Sequence, residues 1–198
     1  MGAKAYTLLA TINFHFKSGS TILEIGSERG EGSTLWLFNF AKEAGLNFVT
    51  VDFDEGIYNS AREIVGSSAY LMSGEDFLDG TNLSSPVCFA YLDNFDWIWE
   101  QWKDAEWMLK AIRHYASRNL VLNNLNSQIT HLRQSMKLLS KLEHTCAILF
   151  DDTWRRWDDT YDGKGGAAVP FLLALGFQDI SPDKDKEYVL LGRNLVSP

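Results

Sequence analysis

Short apolar runs alternate along this chain with segments whose apolar residues recur every three or four positions. Thr21-Ile22-Leu23-Glu24-Ile25, Phe48 to Asp52, Ala69 to Met72, Val87 to Leu92 and Cys146 to Phe150 are runs of strand length. Their near-continuous apolar character fits strands covered on both faces. Helices are predicted over 3–16, Ser33 to Ala44, Glu55 to Val65, 97–116, the stretch marked by Ile129, Leu132, Met136 and Leu139, and Ala167 to Leu175. Gly45, Gly66 and Gly176 stand where three of these should stop. Leu120 to Asn126 fits strand or loop. Phe177 to Ile180 and Tyr188 to Leu191 flank the turn Pro182-Asp183-Lys184-Asp185 and read as a closing hairpin.

Alternating strands and helices predict an α/β fold: a three-layer αβα sandwich around a mostly parallel, seven-stranded sheet with an antiparallel final hairpin strand. Residues 1–198 read as one domain with a helical insert at about 94–126. No apolar run reaches the about 18 residues a membrane span needs, and Met1 to Phe16 lacks the charge and apolar pattern of a signal peptide. Cys88 and Cys146 lie in apolar strands and read as reduced core thiols, which suits a cytoplasmic setting. The net charge of −8, with no cluster of Lys and Arg, argues against a long nucleic-acid footprint.

The densest chemical signal is Glu24-Ile25-Gly26-Ser27-Glu28-Arg29-Gly30-Glu31-Gly32-Ser33, where a strand ends and a helix begins. Glycines there permit a sharp turn and close ligand approach, and the first N–H groups of the helix face polar ligand groups. Asp52 ends the next strand, 20 residues after Gly32, where a carboxylate would accept from ribose hydroxyls. Glu75 and Asp76 follow the third strand, where a carboxylate would accept from an adenine amino group. The order G-x-x-x-G-x-G inverts the G-x-G-x-x-G of dinucleotide folds, which removes the NAD-dependent oxidoreductase reading.

Glu24 to Ser33 resembles motif I of class I S-adenosylmethionine (SAM)-dependent methyltransferases. Val51-Asp52-Phe53-Asp54, Ala90-Tyr91-Leu92-Asp93-Asn94 and Gly176-Phe177 are similar to that family's later motifs, in the same order along almost the whole chain. The resemblance implies SAM as cofactor, held by Glu24, Gly26, Ser27, Gly30, Gly32, Ser33, Asp52, Phe53, Glu75, Asp76 and Asp93. Asp93 with Asp151-Asp152 is similar to the divalent-metal site of catechol-type O-methyltransferases, which implies Mg²⁺ on Asp93, Asp151 and Asp152. That family has Asn where this chain has Asp152.

Asp93, Lys164 and His131 are the candidate catalytic residues, His131 as a general base slightly off the apolar stripe of its helix. Residues 151–166 read as a long polar, aromatic loop with Lys164 at its Gly-rich end. Trp102 lies on a core stripe, while Trp97, Trp99 and Trp107 either pack or line a pocket. His15, His114 and His144 have no motif around them. The expected activity is O-methylation of a small-molecule acceptor. A metal-independent N- or C-methyltransferase and a catalytically silent SAM-binding protein are the alternatives, although the Asn-Pro-Pro-Tyr-type motif of many N-methyltransferases is replaced here by Asp93-Asn94-Phe95-Asp96. Partners reduce to the small-molecule acceptor, with no membrane or nucleic acid and a homodimer left open.

Overall fold

The computed structural model describes residues 4–10, 16–27 and 32–195. Nine strands and six α-helices occur among them: β1 (Thr21–Ile25), α1 (Ser33–Ala44), β2 (Asn47–Asp52), α2 (Glu55–Val65), β3 (Ala69–Leu71), α3 (Gly74–Gly80), β4 (Val87–Leu92), α4 (Glu106–Ser117), α5 (Asn124–Leu138), β5 (Leu142–Asp151), β6 (Thr153–Arg155), β7 (Tyr161–Gly163), α6 (Ala168–Ala174), β8 (Gln178–Asp179) and β9 (Tyr188–Arg193). Seven strands form one sheet in the order β3-β2-β1-β4-β5-β9-β8, and β6-β7 form a separate hairpin. β1 to β5 run parallel, and β9 inserts antiparallel between β5 and β8. The predicted α/β architecture, with its antiparallel final strand, is the one observed.

The sheet is buried because its strands are apolar on both faces. Ile22, Phe48, Ala147 and Leu149 pack with α1 residues Leu37 and Ala41. Leu23, Ile25, Ile148 and Phe150 pack on the other side with Phe77, Leu138 and Leu172. Helix ends follow local chemistry. Gly45 closes α1 in the left-handed conformation at φ 67°. Asp54 caps α2 by accepting from Gly56 N and Ile57 N. Cys88 and Cys146 are both free and buried, as expected. No helix among the described residues is long and apolar enough to cross a membrane.

Chain order reverses between β1 and β4, which opens a crevice at their carboxyl ends. Gly26 sits there at φ 98°, and a Cβ on it would lie 2.5 Å from the backbone N of Asn94. Asp93 N in turn donates to Ile25 O at 2.9 Å, so the ends of β1 and β4 touch backbone to backbone.

Four sequence expectations are corrected. The predicted helix over 97–116 begins only at Glu106, after a single 3-10 turn at Glu100–Trp102, because Trp97 and Trp99 turn aside to pack on Trp154. Trp102 is 53% exposed rather than in the core. The loop predicted for 151–166 is folded: Thr153 to Arg155 pair with Tyr161 to Gly163. Gly74 to Gly80, where no element was predicted, is a helix capped by Ser73, whose hydroxyl accepts from Asp76 N and donates to Asp76 Oδ2. The first predicted helix appears as a 3-10 helix over Ala5–Ala10, and residues 11–15, with His15, lie outside the described residues.

Gly26→Ala should destabilise the fold by about 2–4 kcal/mol, since it combines a left-handed backbone with a clash against main chain that cannot swing away. Urea unfolding measures this; a loss under about 0.5 kcal/mol would mean that β1 and β4 separate easily.

Candidate active site

The crevice forms a cavity of about 830 Å³, within the range of small-molecule sites. Its walls come from the ends of β1, β2, β4 and β5, from the turn before α6, and from α4 above. Gly26, Ser27, Gly32, Asp52, Phe53 and Asp93 all line it. Asp151, Asp152 and Lys164 line its other side. Nine of the fifteen sequence-predicted site positions, Lys164 among them, thus converge, from segments over a hundred residues apart. Gly30 lies outside the described residues.

Glu24 does not line the cavity. It is wholly buried in the middle of the sheet, beneath the motif. Its Oε1 accepts from Ser33 Oγ at 2.5 Å, and its Oε2 accepts from Thr34 Oγ1 and Thr50 Oγ1, both at 2.7 Å. Glu24 and Ser33 are therefore corrected from ligand contacts to supports that tie β1 to α1 and β2. Burial pushes the Glu24 carboxyl up to about 7, against the pull of the hydroxyls of Ser33, Thr34 and Thr50.

Asp52 stands at the cavity wall. Its Oδ2 accepts from Ser27 N at 3.0 Å and its Oδ1 from Asp54 N at 2.7 Å. Burial raises its pKa to about 7, opposed by those two N–H donors. Two fixed main-chain donors orient the carboxylate and leave acceptor capacity for a ligand.

Glu75 and Asp76 are corrected as adenine contacts: neither lines the cavity. Asp76 is engaged with the Ser73 cap of its own helix, and Glu75 accepts from Gln134 Nε2 at 3.0 Å on the α5 side. His131 is corrected as well. It is fully buried, its Nδ1 lies 2.8 Å from Ser127 O, and its ring packs near Phe150. Burial, with Lys164 nearby, pushes it down to about 3, so it stays neutral in the core and cannot exchange protons with a substrate.

The acidic ends of β4 and β5 meet at Lys164, which is 2% exposed. Lys164 Nζ lies 2.7 Å from Asp93 Oδ1 and 3.0 Å from Asp152 Oδ2. It stands between the carboxylates where the metal was expected. Among the described residues, no group of three or more acidic, His or Cys side chains forms a metal-ligand cluster. The reason is geometric: the hairpin β6-β7 folds Lys164 back beneath Asp152, with Lys164 N donating to Asp152 O at 2.9 Å. Burial works against the ammonium, but Asp93, Asp152, Asp151 and Asp96 together hold its pKa well above the usual lysine range.

Tyr91 adds a further link. Its hydroxyl lies 3.1 Å from Asp93 Oδ2 and 3.0 Å from Asp151 Oδ2. Its one hydrogen is shared between two carboxylate oxygens, which ties the ends of β4 and β5 together. Burial and the adjacent Asp93 push the Asp151 carboxyl well above the usual range.

Several lining groups had no sequence reading. Asp96 opens to solvent and lines the cavity. Asn94 lines it too, with its Oδ1 buried and unpartnered. Tyr115 of α4 packs on Phe53 and Phe95, with ring centroids 5.8 and 4.9 Å away, and so roofs the site. Arg118 and His114 reach down to Asp54 Oδ2 at 2.7 and 2.9 Å. The segment Asp93-Asn94-Phe95-Asp96 and the Asp52-x-Asp54 spacing were the visible hints of this set; the roof comes from α4, whose docking no local pattern encodes.

A protein of Streptococcus mutans assigned as a methyltransferase, solved with SAH, superposes with a TM-score of 0.56 at 13% identity, covering 94% of each chain. A SAM-dependent methyltransferase of Bacteroides fragilis, solved with S-adenosyl-L-homocysteine, gives 0.52 at 12% identity over 100% of this chain and 78% of the other. A TehB-like SAM-dependent methyltransferase of Corynebacterium glutamicum gives 0.50 at 11% identity, over 98% and 89%. The chain adopts the class I methyltransferase fold. No protein-family model matches it, and no curated protein matches it at significant similarity.

Because the folded-state pKa of Glu24 lies above its ordinary 4.5, at about 7, its protonated form favours the folded state. Its contribution is complete at low pH and is lost as pH rises through that window, by on the order of 3 kcal/mol. Thermal melts of wild type and Glu24→Gln between pH 4 and 8 test this. The wild type should lose more stability on going alkaline than the variant, and parallel curves would assign Glu24 an ordinary titration. Lys164→Met leaves its carboxylates uncompensated and should cost about 3–5 kcal/mol in urea unfolding at pH 7. A cost under about 1 kcal/mol would show that the cluster does not depend on the ammonium.

Proposed function

We propose that this chain is a SAM-dependent methyltransferase that methylates a hydroxyl of a small molecule without a divalent metal. One observation carries the metal-free part: the Lys164 ammonium stands between Asp93 and Asp152, at the carboxyl ends of β4 and β5. A catechol-type site would place Mg²⁺ there. The cofactor part is supported by fit. Asp52 is oriented by two N–H donors with lone pairs to spare, Gly26 leaves room beside Asn94, and Asn94 Oδ1 is a buried acceptor without a partner.

SAM, when bound, supplies an activated methyl group. Asp52 would hold the ribose hydroxyls, Ser27 and Gly32 would line the loop side, and Phe53, Phe95 and Tyr115 would exclude water from above. The acceptor's proton has to leave for its oxygen to become a good nucleophile. Asp96 is the base best placed for this: it lines the cavity and opens to solvent, which can carry the proton away. Asp93 and Asp152, fixed by Lys164, would orient the hydroxyl, which is positioning of the kind that a metal provides elsewhere.

Isothermal titration of SAM and S-adenosylhomocysteine, with and without Mg²⁺, tests both parts. Micromolar binding is expected, weakened at least tenfold, or about 1.4 kcal/mol, in Asp52→Asn. Mg²⁺ should leave it unchanged. No heat from either ligand would overturn the methyltransferase reading; a saturable Mg²⁺ site abolished by Asp152→Ala would overturn the metal-free one.

A further inference from the structure

A second cavity, of about 650 Å³, lies outside the site just described and shares no lining residue with it. Three of its lining residues are Trp97, Trp99 and Trp154. Trp97 meets Trp154 at 87° with centroids 5.8 Å apart, and Trp99 stacks on Trp154 at 5.0 Å. Perpendicular indoles form two walls of a box.

The box is fixed before any ligand arrives. Asn124 Oδ1 accepts from Ile98 N at 2.8 Å and Asn124 Nδ2 donates to Ile98 O at 3.0 Å, which clamps the residue between Trp97 and Trp99. Thr153 N donates to Glu187 O at 3.2 Å and ties Trp154's strand to the segment carrying Lys184, Asp185 and Glu187, which also lines the cavity. Preorganised aromatic surface of this kind binds with little ordering cost.

The charges around the box select its ligand. Arg155 is paired with Asp159 at 2.9 Å, and Glu100 with Lys103 at 2.5 Å. Lys184, Asp185 and Glu187 remain, with no ion pair among the described residues. Two carboxylates against one ammonium leave the rim negative. Indole faces attract cations most strongly of all side-chain rings, and an organic cation sheds its water more readily than a small ion.

We propose that this cavity binds an organic ammonium group, and that the methyl acceptor carries one. The second half rests on the methyltransferase reading. Its support is chain continuity: Asp96 of the reaction cavity directly precedes Trp97, and Asp152 lies two residues before Trp154, within about 7 Å by chain length alone.

Choline and its uncharged isostere 3,3-dimethylbutan-1-ol are the probes. In protein labelled at its seven indoles, choline should shift the Trp97, Trp99 and Trp154 N–H resonances saturably. The isostere should bind at least tenfold more weakly. The pair Asp185→Asn and Glu187→Gln should weaken choline several-fold, and Trp154→Leu should abolish its effect; Trp99→Phe serves should that variant not fold. Equal binding of the isostere would reduce the box to an apolar pocket, and unmoved indoles would remove the site. S-adenosylhomocysteine binding, read separately, distinguishes the two readings: if it binds while choline does not, the cation site falls alone. If choline binds and it does not, the methyltransferase reading falls. Among hydroxyl acceptors, cationic ones should turn over at least tenfold faster than neutral analogues; parity would overturn the link between the cavities.

Discussion

A single buried ammonium organises the acidic half of this site. Lys164 gathers Asp93 from the end of β4 and Asp152 from just past β5, and Asp151 and Asp96 lie close enough to act on its charge. Without a cation, carboxylates this close would repel one another and take up protons instead. With it, two strand ends, the hairpin β6-β7 and the turn into α6 are bound to one another. The ammonium is poorly solvated, so it depends on these carboxylates as much as they depend on it.

The other half of the cavity depends on Glu24. A carboxyl in the centre of a parallel sheet is out of place by hydrophobicity alone, and it persists because three hydroxyls satisfy it. Two of these begin α1 and the third lies on β2, so the network sets how the first helix leaves the sheet. Asp52, one strand over, repeats the device with main-chain donors. The difference between them is access: Glu24 is sealed within the sheet, whereas Asp52 meets the cavity. One therefore holds the frame and the other is left to meet a ligand.

Sequence patterns revealed the frame well because burial on both faces leaves a strong mark. β1, α2 and β4 fall where apolar runs and stop signals put them, and the motif residues Gly26, Ser27, Gly32, Asp52, Phe53 and Asp93 do converge. What stayed hidden was long-range. A glutamate next to a glycine motif looks the same whether it faces a ligand or three hydroxyls. His131 reads as a polar residue beside an apolar stripe, and only α5 packing on β5 shows it to be core. The tryptophans of 97–107 fit a helical period, but Trp154, over fifty residues on, draws two of them out of it. Most telling is Lys164: its role depends on a hairpin that composition alone had marked as loop.

One ammonium in a cluster of several carboxylates has a consequence for protons. Lys164 brings a single positive charge to Asp93, Asp151, Asp152 and Asp96, so the cluster keeps a surplus of negative charge. That surplus, with burial, favours the neutral form of Asp151, whose carboxyl is pushed well above the usual range. Tyr91 donates its hydroxyl toward both Asp93 and Asp151 and so joins the ion-paired strand end to the buried one. Asp96 adds to the same surplus at the cavity wall. A ligand that brings its own positive charge would lower the repulsion that the fold leaves in place there.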